Sequence, residues 1–235
     1  MTPELTLLAT TAAAVAFVHT LLGPDHYLPF AALAKARGWG VRQTLRIASW
    51  CGLGHLVGSV SLGAAGIALG WQLSSLEWVE GMRGSAAGWA LAGFGLAYAA
   101  WGLRRAHRKR RHSHWHSHGA RVHRHFHAHH DRHLHLHAEG RSRGAAWLVF
   151  IIFVLGPCEP LIPLLMYPAA TQSWAGVMLV TVVFSVVTVL TMLLAVAASL
   201  RGLRALRWEG MERYSHVAAG VTIMACGLSV SMLGM

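Results

Sequence analysis

Two short stretches decide the fold: Leu22-Gly23-Pro24-Asp25-His26-Tyr27-Leu28-Pro29 and Leu155-Gly156-Pro157-Cys158-Glu159-Pro160-Leu161-Ile162-Pro163. Each reads Leu-Gly-Pro, then two side chains able to ligate a metal, then Leu and another Pro. Each interrupts a long apolar run, residues 5–33 and 145–168. Proline removes a helix hydrogen bond and glycine loosens the backbone, so both runs are predicted to be helices broken part-way. In a bilayer the freed polar groups are tolerable only where they face protein or a water-filled cavity.

The composition agrees with a membrane setting. The chain has 235 residues, of which 54% are hydrophobic and 12% charged, and its mean hydropathy is +0.45. A soluble domain carries roughly 25% charged residues. Further apolar stretches long enough to span a bilayer lie at 45–70, 84–103, 173–200 and 215–233, which makes six with the two broken runs. The first run opens with Glu4 and no Lys or Arg, and no small-residue cleavage site follows it. It is therefore expected to be a retained span and not a signal peptide.

Three crossings separate the two broken runs, so they enter the membrane from opposite sides. The predicted fold is an all-α polytopic membrane protein of six transmembrane helices, arranged as two inverted three-helix repeats with helices one and four broken at Gly-Pro. Residues 1–103 form the first repeat, 104–143 a His/Arg-rich cytoplasmic loop expected to be disordered, and 144–235 the second repeat. Transporters build midplane sites from helices broken in this way.

The net charge of +11 and pI near 11 need a location before they have a meaning. Nineteen of the 20 Lys and Arg residues fall in connections one, three and five; connection two has only Arg83 and connection four none. The positive-inside rule places the basic connections in the cytoplasm and both termini outside, in a bacterial inner membrane. Basicity thus reports topology, and a nucleic-acid partner is excluded as the reason for it. The expected partners are the lipid bilayer and a transition-metal ion. The small-residue run 84–95 is suited to close packing against a second copy of the chain.

Of nine acidic residues, only Asp25 and Glu159 are predicted to lie within spans, one in each break. An ionisable residue at membrane depth is a functional-site hypothesis by default. His19 precedes His26 by two helical turns, and Cys51 and His55 share a face of span two. Imidazole, thiolate and carboxylate together suit nickel, cobalt or zinc better than magnesium or calcium. The predicted metal site is therefore His19, Asp25, His26, His55, Cys158 and Glu159, with Cys51, Ser185 and Thr188 as secondary polar lining. Three cysteines are too few for a disulfide framework. No Walker-type nucleotide motif is present, and the chain is expected to be a carrier and not an enzyme.

Thirteen of the 17 histidines lie within residues 107–137. Near neutral pH most imidazoles are unprotonated and free to coordinate a metal. An accessory metal-binding role is expected for His112, His114, His116, His118, His123, His125, His127, His129, His130, His133, His135 and His137.

In order and topology the chain resembles the nickel/cobalt transporter superfamily, in particular the short nickel/cobalt efflux proteins and the UreH-like six-helix permeases. The resemblance is carried by His19-Thr-Leu-Leu-Gly-Pro-Asp25-His26, by Gly54-His55, by the His-rich loop, and by Gly156-Pro157-Cys158-Glu159-Pro160. It implies a secondary transporter with no tightly bound cofactor, carrying Ni2+ or Co2+, or Zn2+, through a site between the repeats. The Pro157-Cys158-Glu159-Pro160 stretch also resembles the Pro-Cys motif of the CcdA and DsbD membrane thiol reductases, which pass electrons through a pair of intramembrane cysteines, one in each broken helix. Here Asp25 stands in the first break where the second has Cys158, so a redox pair would need Cys51. A third alternative is export of a sulfur oxyanion, as in the TauE and SafE families, although two intramembrane carboxylates would repel an anion.

Overall fold

A computed structural model describes residues 2–108, 112–118, 121–127, 139–205 and 212–233. Its membrane part is helical throughout. Helix α1 spans Pro3–Leu22, begins with the Thr2 hydroxyl accepting from the Leu5 N–H, and closes with the Gly23 N–H donating to the His19 carbonyl. Pro24 cannot continue that ladder. The chain turns through a 3-10 segment, Pro24–His26, into α2, Leu28–Arg37, which stops at Gly38 in the left-handed conformation, φ 69°.

Helices α3, Val41–Ala68, and α4, Leu73–Arg108, follow. Helix α5, Glu139–Leu155, and α6, Leu161–Ala170, flank the second Gly-Pro break, and the two long C-terminal helices are α7, Trp174–Ala205, and α8, Ser215–Leu233. Both predicted interruptions are therefore present as breaks between helices. Among the described residues, five helices are long and apolar enough to cross a membrane: α1, α3, α4, α7 and α8. The α5 and α6 segments are too short to do so singly. Large apolar side chains cover the outside, among them Trp50, Trp78, Trp89, Trp147, Trp174 and Leu194, as expected of a lipid-facing surface.

Helices α4 and α8 are in intimate contact. A Cβ added at Gly95 would run into the Met224 backbone, one at Gly220 into Ala99, and one at Gly227 into Ala92. Such backbone approach is open only to glycine. Within the small-residue run 84–95, Gly88 and Gly95 thus pack against α8 of the same chain, and Gly84 lies against Pro157 in the second break.

Outside the membrane part, His112–His118 (β1) and Arg121–His127 (β2) form an antiparallel two-stranded ladder. His129, His130, His133, His135 and His137 lie outside the described residues.

Candidate functional site

The first break brings Asp25 and His26 onto a single 3-10 turn just past the end of α1. His26 is buried, and its Nδ1 lies 3.2 Å from Asp25 Oδ1 and 3.2 Å from the Gly23 carbonyl. Its ring stands edge-on to His19, centroids 5.1 Å apart, and to His55 of α3, centroids 5.5 Å apart. His55 is held from the opposite side, with Nδ1 3.2 Å from the Phe153 carbonyl at the end of α5. For His26 and His55 the neighbouring carbonyls require Nδ1 to be the donor, which leaves Nε2 as a lone-pair acceptor in the neutral ring. The Nε2 atoms of His19, His26 and His55 are all buried without a hydrogen-bond partner.

These rings line one cavity of about 360 Å³ together with Asp25 and Glu159; its other walls are the Gly81–Gly88 face of α4, Phe153, Gly156 and Pro157, and Ser231 of α8. Five of the six predicted site residues therefore meet: His19, Asp25, His26, His55 and Glu159. Cys158 does not join them. It is fully buried in an apolar cluster with Leu56, Leu161, Leu165, Val180 and Phe184. Cys51 is buried in a different cluster, facing a groove between α3 and α5. Ser185 and Thr188 of α7 are not in the cavity wall, and Thr188 is buried. All three cysteines are free. Among the described residues, no group of three or more His, Cys, Asp or Glu side chains is arranged to hold a metal ion.

Two functional candidates escaped the sequence reading. Glu80 and Arg83, assigned there to a connection, sit inside α4, and Glu80 is completely buried. Arg83 Nη1 lies 2.8 Å from Glu80 Oε1, while Nη2 donates to the carbonyls of Val154, at 3.2 Å, and Gly156, at 3.4 Å. The last turn of α5 thus finds a donor for carbonyls that the break leaves without helical partners. Glu80 is a third acid within a span, beside Asp25 and Glu159. The signal was available: Leu76, Glu80, Arg83 and Gly84 recur at helical spacing on one face.

The arrangement offers a buried thiol at a helix break, an ion pair clamping that break, and an imidazole- and carboxylate-lined cavity beside it. No curated protein and no solved structure matches the chain. Residues 31–229 match the family described as the cytochrome c biogenesis protein transmembrane region. This overturns the nickel/cobalt transporter resemblance and, with it, the divalent-metal permease and its nickel or cobalt cargo. The physical reason for the misreading is that Gly-Pro breaks and an excess of Lys and Arg in the connections belong to membrane architecture, and are shared by carriers of unrelated cargo. The matched stretch begins after His19, Asp25 and His26 and contains the Pro157-Cys158-Glu159-Pro160 break, which had pointed to thiol chemistry. Matched over most of its length, the chain belongs to the cytochrome c biogenesis protein transmembrane region family.

Proposed function

We propose that the protein is a transmembrane thiol-disulfide electron carrier, with Cys158 as its membrane-embedded thiol. The observation that carries this reading is the family match, which spans the Pro-Cys break. Cys158 follows Pro157 where backbone hydrogen bonding is interrupted, so a small movement of α5 against α6 exposes the sulfur without unwinding a helix. In the exchange, the Cys158 thiolate attacks a partner disulfide, forming a mixed disulfide and releasing one partner thiolate. A second thiolate then attacks the mixed disulfide, forming a new disulfide and returning Cys158 as thiolate. Cys51 and Cys158 lie in separate core clusters. The resolving thiol is accordingly assigned to the partner protein.

Deprotonation of Cys158 requires a nearby proton acceptor. Glu159 is adjacent in sequence and lines the cavity with His19, Asp25, His26 and His55, which makes that cavity the route by which the proton leaves. In this reading α5 and α6 together make one broken crossing, which gives six crossings and two inverted halves. Connections one, three and five, with their Lys and Arg excess, are cytoplasmic, both termini are outside, and the protein resides in the inner membrane.

The test is thiol trapping. Cells expressing the wild type or Cys158→Ser are acid-quenched and alkylated, and the redox state of each cysteine is read by mass spectrometry. A mixed disulfide or oxidised fraction at Cys158 that rises when cytoplasmic reductant is depleted is expected, along with a more oxidised pool of extracytoplasmic thiols in Cys158→Ser. A Cys158 reduced under every condition, with extracytoplasmic thiols unchanged in the variant, refutes the proposal.

A further inference from the structure

Among the described residues, Glu80 is the only acid that is fully buried. Its Oε1 is taken by Arg83, but Oε2 is buried without a hydrogen-bond partner. An unpaired carboxylate oxygen in the interior carries a desolvation cost that the clamp on α5 does not require. The Ser59 hydroxyl of α3, also buried and unpaired, stands beside the same carboxylate. Helix α3 comes this near because Gly58 has no side chain: an added Cβ there would lie 3.0 Å from Arg83 Nη2. The Glu80 carboxylate also faces the Cys158 main chain. Among the charged groups whose field reaches the Cys158 thiol, Glu80 acts most strongly, ahead of Arg83, Asp25 and Glu159. Glu159 is adjacent in sequence but turns toward the cavity and is exposed, while the sulfur is fully buried.

We propose that Glu80 is the base that takes the proton of Cys158, an inference that rests on the thiol-exchange reading and names the residue that starts it. Only the thiolate is a nucleophile toward a disulfide. Proton transfer converts the Cys158 thiol, the Glu80 carboxylate and the Arg83 guanidinium into a thiolate, a carboxylic acid and the same guanidinium. One negative and one positive charge are present before and after, so the buried group never holds an unpaired charge. The thiolate then bonds to one sulfur of the partner disulfide, the partner's S–S bond breaks, and its second sulfur departs as a thiolate. The proton on Glu80 passes to Glu159, whose charge also acts on Glu80, and leaves by the cavity. Arg83 thus has two duties: it holds the end of α5, and it is the counter-ion of whichever group is ionised.

Full-length protein in detergent is mixed with 4,4′-dithiodipyridine, a small uncharged disulfide, over a pH series from mildly acidic to mildly alkaline. Mixed-disulfide formation at Cys158 is followed by mass spectrometry of quenched peptides, so Cys51 and Cys226 do not enter the signal. With its own base, the wild type should react at a rate that changes little with pH. Glu80→Gln should be at least about tenfold slower on the acidic side and climb with hydroxide toward the wild-type rate. Glu80→Asp keeps a carboxylate one methylene further back, and should show an intermediate rate with the flat wild-type profile. A purely structural role would instead slow both variants equally at every pH. Profiles that superpose on the wild type, or run parallel below it, refute the role of Glu80 and leave the thiol reading intact. A wild type whose Cys158 forms no mixed disulfide at any pH refutes both.

Discussion

The Glu80 carboxylate and the Arg83 guanidinium meet at 2.8 Å on one face of α4, and the same guanidinium ties down the Val154 and Gly156 carbonyls at the end of α5. The pair thus links a long span to the break that bears Cys158. Removing Arg83 leaves a fully buried carboxylate and two carbonyls without their donor, whereas Glu80→Gln removes only the charge.

Breaking a buried pair from one side costs about 3–5 kcal/mol, and Arg83 is itself 21% exposed, which places the expected loss toward or below the lower figure. Arg83→Met should lower the thermal midpoint of the detergent-solubilised protein clearly more than Glu80→Gln. Equal midpoints would show that Arg83 does not clamp the break.

The α4–α8 contact depends on glycines whose added Cβ would meet backbone. Gly95→Ala and Gly220→Ala should each destabilise the protein by about 1–3 kcal/mol, the usual cost of overpacking. Gly93→Ala, on the same helix with open space around it, should be neutral or slightly stabilising. Thermal midpoints of the three variants check the contrast, and a Gly93 effect as large as that of Gly95 would refute it.

All three cysteines are buried and free. In the folded protein they should react with a membrane-impermeant maleimide at least tenfold more slowly than after denaturation in SDS, since reaction requires local opening. Mass spectrometry of labelled peptides gives the rate for each. Fast labelling of Cys158 without a redox partner would mean that the break stands open at rest.

Reporter fusions test the proposed orientation. A reporter active only in the cytoplasm should be active when inserted at residue 40 or 120 and inactive at residue 71, because the basic connections lie on one side. The reverse pattern would reject the orientation.

What the sequence determined by itself is local and compositional. Apolar runs long enough to span a bilayer, Gly-Pro interruptions and the one-sided placement of Lys and Arg follow from backbone constraints and transfer energetics that act residue by residue. They identified a multi-pass helical membrane protein with two broken helices. The gathering of His19, Asp25, His26, His55 and Glu159 was also legible, because each lies in or beside a break or on an adjoining span.

Tertiary structure alone decided which helix faces oppose each other. It buried Glu80 against the end of α5, placed Cys158 in an apolar cluster and not in the cavity, and matched the glycines of α4 to α8. Whether a side chain is buried, and against what, depends on residues far away in the chain: 98 positions separate His55 from Phe153, and 71 separate Arg83 from Val154. No local pattern encodes such distances, and the site became readable only once the helices had packed.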